Sequence, residues 1–270
     1  MIVKSKKSGF VKRLKSMLYV DFRRMFTIPF FYIMVGIAFV VPILILVMTT
    51  MMDGSVSVNP QTGVETEIQG FDNVWQILGA VSNASGGEAA MQMDLVSMCN
   101  INMMYFAVAV FVCIFTTSDF TSGYAKNLFT VRAKKTDYVI SKTLVGFVAS
   151  AVIFTAFLLG ALLGGGVAKL PFAMSGFVLG NVVSCMLAKI FLSTVFVAVG
   201  VLASVISKQK TWLSVLLSLG IGMLFFTMIP MVTPLDSTFV NVVLCLVGGA
   251  AFAVGLGAVS NVVLNKTSLV

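Results

Sequence analysis

The sequence contains no histidine. That excludes histidine metal sites and any chemistry needing an imidazole base, including Ser-His intramembrane proteolysis and zinc metalloprotease action. Its four cysteines, Cys99, Cys113, Cys185 and Cys245, form no C-x-x-C pair, and at least three fall in apolar runs. They read as small buried hydrophobes. No G-x-x-x-x-G-K-[ST] loop is present, so the chain has no means of hydrolysing ATP by itself. Charge is scarce as well. Only 10% of the 270 residues are charged, against roughly 25% in a soluble domain. What is abundant is apolar: 59% of the chain is hydrophobic and the mean hydropathy is +1.04. These values exclude a soluble enzyme, a disordered chain and a fibrous protein, and imply an all-α polytopic membrane protein.

Six apolar runs are visible: Phe30–Met52, Asn100–Thr117, Thr143–Gly164, Gly176–Ile206, Trp212–Pro230 and Thr238–Val262. Each is read as long enough to cross a bilayer, which takes ~20 residues. Each must be helical, because a lone strand in lipid leaves its backbone unpaired. The fourth is longer than one crossing requires and is expected to tilt, break or end in an interfacial turn. Pro42 is expected to kink the first span, and Pro230 and Pro234 to end the fifth.

The cations alternate between loops. Lys4, Lys6, Lys7, Lys12, Arg13, Lys15, Arg23 and Arg24 precede the first run, and the loop 53–99 has none. Lys126, Arg132, Lys134, Lys135 and Lys142 fall in 118–142, then Lys208 and Lys210 follow the fourth run, and Lys266 the sixth. Only Lys169 and Lys189 break the pattern. The positive-inside rule then puts both termini in the cytoplasm of a multi-pass cell-membrane protein. Asp53, Glu65, Glu67, Asp72, Glu88, Asp94 and Asp236 fall outside, and no Asp or Glu is expected to be buried in the spans. The +8 charge is therefore read as juxtamembrane charge facing anionic lipid, not a nucleic-acid footprint. The first apolar run starts late, is long and ends without a small-x-small site, so it reads as a retained anchor.

Residues 1–29 read as a cytoplasmic and interfacial segment ahead of a transmembrane domain over 30–270. Phe10, Leu14, Met17, Leu18, Phe22 and Met25 recur at helical spacing with most cations opposite, as in a helix lying in the membrane interface. The alternative is a solvated basic tail. In the external loop 53–99, Gly54, Asn59, Pro60 and Gly63 mark turns. Phe71, Val74, Trp75, Leu78 and Val81 suit one short helix and Glu88–Met98 a second, after Gly86 and Gly87. The loop reads as a small cap on the helices, with ligand gating the alternative. Asn83-Ala84-Ser85 matches a glycosylation sequon.

Residues 118–142 run from Ser118-Asp119-Phe120 through Gly123-Tyr124-Ala125-Lys126-Asn127-Leu128-Phe129 and Arg132 to Tyr138, Ser141 and Lys142. This segment resembles the loop between the second and third helices of ABC-2 type exporter permeases. The matching positions are Asp119, Gly123, Lys126, Leu128, Arg132, Tyr138, Ser141 and Lys142. It departs from the family in having Asp for the commoner Glu and Tyr124 where Thr is frequent. Val131-Arg132-Ala133-Lys134-Lys135 also replaces the usual Pro-x-[Ser/Asn]-Arg. The layout of spans and termini is similar over nearly the whole chain. The resemblance implies a short coupling helix that docks on a separate ATPase subunit, which binds the ATP and Mg, with this chain non-catalytic and without a cofactor. It also implies a second permease chain, as homodimer or heterodimer. Phe120, Tyr124, Leu128 and Phe129 are then expected to act as apolar knobs in a partner groove, with Lys126, Arg132, Lys134 and Lys135 pairing with acids or lipid headgroups.

Within the spans, Lys189 is a candidate for a translocation path, together with Asn100 and Asn102. The alternative is a lysine that snorkels or sits near the inner end of its span, with the asparagines, Asn181 included, as interhelical glue. Glycines cluster around Gly160–Gly166, Gly176–Gly180 and Gly248–Gly257, and one such face is expected to meet a partner permease. The many Met and Phe suit an amphipathic cargo such as a peptide, toxin or lipid, exported from the cell. A stand-alone six-helix secondary transporter or channel is the rival reading. An intramembrane enzyme is disfavoured by the missing histidine and paired carboxylates.

Overall fold

The computed structural model describes residues 9–58, 65–67, 70–79, 100–131, 134–174, 176, 178–226 and 228–266. Val81, Asn83–Ser85, Gly86–Gly87, Glu88–Met98, Cys99 and Arg132 lie outside the described residues. Nine α-helices are described: α1 Phe10–Thr27, α2 Pro29–Met52, α3 Met104–Thr121, α4 Tyr124–Val131, α5 Lys135–Val167, α6 Leu179–Ser207, α7 Thr211–Phe226, α8 Ile229–Val232 and α9 Phe239–Lys266. Among the described residues, five helical segments are long and apolar enough to cross a membrane: 29–52, 101–121, 135–167, 179–207 and 239–266. The architecture is compatible with an all-α, multi-pass membrane protein.

The fifth apolar run departs from expectation. It forms α7, of 16 residues, about 24 Å long at ~1.5 Å per residue, and then the short α8. Pro230 does not end the helix. It sits in the first turn of α8, where a missing N–H costs nothing. The third run is longer than expected. At 33 residues, α5 measures ~50 Å, well beyond a ~30 Å hydrocarbon core, so its first turns can project past the apolar layer. The fourth run is one unbroken helix, α6. The loop 53–99 also contains two short paired strands that were not expected, Val56–Val58 antiparallel to Glu65–Glu67. Its strands are too short to display an alternating pattern.

α3 and α6 form the centre. In each, 67% of the most apolar stretch is buried, against 28% in α2 and 17% in α9. α2 lies on α5, α9 on α6, and α7 against α3 and α6. The rows of exposed Ile, Leu, Val and Met on α2 and α9 would be untenable in water but suit lipid contact. Residues 70–79 rest on the bundle through a 3-10 turn, Val74–Leu78. The Trp75 indole N–H donates to the Phe172 carbonyl at 3.2 Å, and Val74 packs against Gly165.

The small-residue faces divide. Gly160 and Gly164 meet α2 of the same chain, not a partner: a Cβ on Gly160 would lie 2.0 Å from the Phe39 carbonyl oxygen, and one on Gly164 2.8 Å from the Ile43 Cα. Gly176, Gly180, Gly248 and Gly255 have open space instead. Gly160→Val is therefore expected to push α2 off α5 and destabilise the fold by about 1–3 kcal/mol, the usual cost of overpacking. Gly255→Ala is expected to be near neutral. Thermal unfolding of both variants in detergent checks the contrast.

Candidate functional site

The helices alternate in direction, which gathers the cations at one end of the bundle. There α1, the C-terminus of α3, α4, the N-terminus of α5 and the C-terminus of α9 come together. Lys135 donates to the Leu264 carbonyl at 2.5 Å, and Ser204 and Ser214 are 2.9 Å apart where α6 turns into α7. The local signals are plain. Ile28 adopts the extended backbone that precedes a proline (φ −80°, ψ 120°), so α1 ends and α2 starts in a new direction. Gly123, at φ +74°, supplies the left-handed residue that ends α3 and starts α4.

Six charges pair at this end, four of them (Lys142, Asp21, Asp119 and Arg24) in one linked cluster. The Lys142 ammonium is 2.9 Å from Asp21 Oδ1 and 2.7 Å from Asp119 Oδ2. Arg24 lies 2.5 Å from Asp119 Oδ1, and Asp137 pairs with Arg13 at 2.9 Å. The Ser141 hydroxyl donates to Asp21 at 2.6 Å and the Tyr138 hydroxyl to Asp119 at 3.1 Å. Lys142 also stands 4.1 Å from the centre of the Phe115 ring, a cation–π distance. Asp21, Asp119 and Lys142 are all at or below 1% exposure. This corrects the expectation of no buried acid. Asp119 and Asp137 belong to helices long and apolar enough to span a membrane, and Asp21 is brought near them by α1. Unpaired, such charges would be untenable in a low-dielectric setting; paired and hydrogen-bonded, they persist.

The cluster also settles what α1 does with its apolar stripe. Met17, Asp21 and Met25, spaced by four, face the bundle, and Leu18 and Phe22 pack beside them half-buried. Leu14 is half-buried and Phe10 is exposed. The carboxylate in the middle of that stripe was unremarkable in sequence, because one acid among apolar residues does not announce its partner 121 residues away.

α4 is tied to this cluster through Tyr124, over whose ring the Arg24 guanidinium lies at 4.4 Å. Burial works against the Arg24 charge, but the carboxylates of Asp119 and Asp21 outweigh it and raise its pKa above the ordinary value. Burial, with the nearby Asp21 carboxylate, also raises Tyr124, so that ring stays a neutral phenol. The expected outward knobs face inward. Phe120 and Phe129 pack edge-on against Tyr138 at 6.1 and 5.3 Å, and Leu128 packs on the core. The apolar face of a short helix is more stably covered by its own chain. Lys126, Asn127 and Thr130 are left exposed on α4.

Lys189 lies elsewhere, in the half of α6 nearer the opposite end of the bundle. It is fully buried, so it neither snorkels nor reaches the cation-rich end. Its ammonium donates to Asn102 Oδ1 at 2.8 Å and Thr233 Oγ1 at 3.0 Å. Tyr105 donates to its backbone carbonyl at 3.2 Å, and Gly79 closes over it. No carboxylate pairs with it among the described residues. Asn100 is buried and accepts from the Asn102 N–H at 2.9 Å, capping the turn that starts α3. Asn181 holds the Asp236 carbonyl at 3.0 Å. Lys189 and Asn102 are thus together, with Asn100 capping the turn that carries Asn102, and all three are buried. Thr233 was missed; only the fold brings the segment after α8 back onto α6. Among the described residues no cluster of His, Cys, Asp or Glu could hold a metal ion. Comparison with protein-family models, curated proteins and solved structures finds no match to this chain.

Proposed function

We propose that this chain is the membrane subunit of an ATP-driven ABC-2 type exporter. It has six crossings, with α7 and α8 together making the fifth, and both termini cytoplasmic. It pairs with a second permease chain and moves an amphipathic substrate, a peptide, toxin or lipid, out of the cell. The energy comes from a separate ATPase that binds ATP and Mg. One observation carries the reading: an isolated short helix, α4, stands at the cation-rich end between the second and third long helices. It is fastened through Tyr124 and Arg24 to the Asp119–Lys142–Asp21 cluster. A partner that displaces α4 would therefore move α1, α3 and α5 together, because breaking that cluster strands buried charge. The chain itself has no phosphate loop with which to power the motion.

The docking surface is the polar outer face of α4. Changing Lys126 and Asn127 to Glu and Thr130 to Asp is expected to abolish co-purification of the ATPase encoded beside this chain. Expression and folding should be untouched, since all three side chains are exposed. If the ATPase still co-purifies with the triple variant, or never does with the wild type, the coupling role is wrong.

The buried carboxylates favour a second reading, an ion-gradient transporter, since ionisable groups inside a membrane domain often carry protons. Here, though, each described one has a cationic partner and sits at one end, not at the midplane where such carriers bind their ions. Export that persists without ATP but stops when the proton gradient collapses would establish that alternative.

A further inference from the structure

A cleft of about 600 Å³ opens on the face between α5 and α9, with Phe191 and Thr194 of α6 as its floor. That size lies in the range of small-molecule sites. Its lining has no charged residue. Along α5 it runs from Thr136 to Phe147, ~17 Å at ~1.5 Å per residue, close to the depth of one leaflet of a ~30 Å hydrocarbon core. The trough exists because α9 presents Ala250, Ala253, Gly257 and Ala258 to it. It closes at the cation-rich end, where Thr136 donates to Asn261 at 3.2 Å and Lys135 to the Leu264 carbonyl. Lys134 and Lys266 flank that closure and are exposed. No carboxylate among the described residues pairs with either, and the nearby Asp137 is taken by Arg13.

We propose that this cleft is a site for an anionic phospholipid of the cation-rich leaflet, with one acyl chain in the trough and the phosphate at Lys134 and Lys266. The inference rests on the chain being a membrane protein and not on its coupling to an ATPase. The apolar trough alone would accept any acyl chain; the two cations at its closed end add the preference for negative charge, as basic pockets between helices do. A second copy is a poorer occupant. An isologous pair places the same patch of both copies at one interface, so Lys134 and Lys266 would face their own like charges there.

The test uses the full chain in mild detergent with equal amounts of phosphatidylglycerol and phosphatidylcholine, and counts retained lipids by native mass spectrometry. Retention of phosphatidylglycerol over phosphatidylcholine is expected, falling about fivefold for each of Lys134→Gln and Lys266→Gln. Ala250→Trp, on an exposed wall of the trough, is expected to lower retention with the chain still folded. Equal retention of the two lipids by the wild type, or a preference unchanged in the double lysine variant, overturns the site. So does an Ala250→Trp chain that loses self-association while keeping its lipid, because the cleft is then an interface between copies. No ATPase enters the measurement, so its failure is separate from failure of the exporter reading.

Discussion

Lys142→Met is expected to destabilise the chain by about 3–5 kcal/mol, the cost of removing one partner from a buried ion pair. Lys142 bridges two carboxylates that have no water to turn to. Without it, Asp119 keeps Arg24 and the Tyr138 hydroxyl. Asp21 keeps the Ser141 hydroxyl as its hydrogen bond and the charge of Arg24 without a direct contact. Adding Asp21→Asn should therefore recover much of the loss, since the stranded charge is gone. Recovery in the double variant is the coupling signature of a direct pair. Cys113, Cys185 and Cys245 are buried free thiols, so their modification by a thiol dye on heating, in a Cys99→Ser background, reports unfolding. If Lys142→Met and wild type unfold together, the cluster does not hold α1 to the bundle.

Lys189→Ala is expected to cost about 2–5 kcal/mol, because it opens a cavity and leaves a buried acceptor unmet. Thr233 keeps its own bond to the Ile229 carbonyl at 2.9 Å, so the orphan is Asn102 Oδ1. Lys189→Met fills the same space but leaves Asn102 Oδ1 equally unmet, and should lose about 1–3 kcal/mol. The damage should be local. Cys185 lies against the Thr233 carbonyl at 3.8 Å, while Cys113 is held at the far side by Gly200 and Ser214. In Lys189→Ala, Cys185 should be alkylated faster, with Cys113 unchanged. Equal protection of Cys185 in wild type and variant would show that Lys189 does not pin the segment after α8 to α6.

The two sites differ in how far the sequence reveals them. The break at Pro29 follows from local stereochemistry, so it is readable from a few neighbouring residues, whereas the short helix after Gly123 was implied only by the family resemblance. The grouping of Lys189 with Asn102 was also readable, because a polar residue in an apolar run needs a partner and few exist. Its setting was not. A lysine ten residues into a long helix is compatible with snorkelling, with lining a passage or with burial, and only the fold of Thr233 and Gly79 onto it decides. The same holds for Phe120 and Phe129, whose aromatic spacing marks a face of α4 without saying whether that face meets Tyr138 or a partner.

By itself, the sequence determined what depends on partition and local geometry: long apolar stretches, cations sorted to alternate loops and the break at Pro29. Tertiary structure decided every pairing between distant residues. Asp21 and Lys142 meet across 121 positions, Gly160 receives the Phe39 carbonyl of another helix, and three carboxylates end up buried where the sparse charge of the chain suggested none. The physical reason is that hydropathy is a property of each residue in its own window, whereas a buried charge is tolerable only through its partner. Which partner it finds is set by how the helices pack.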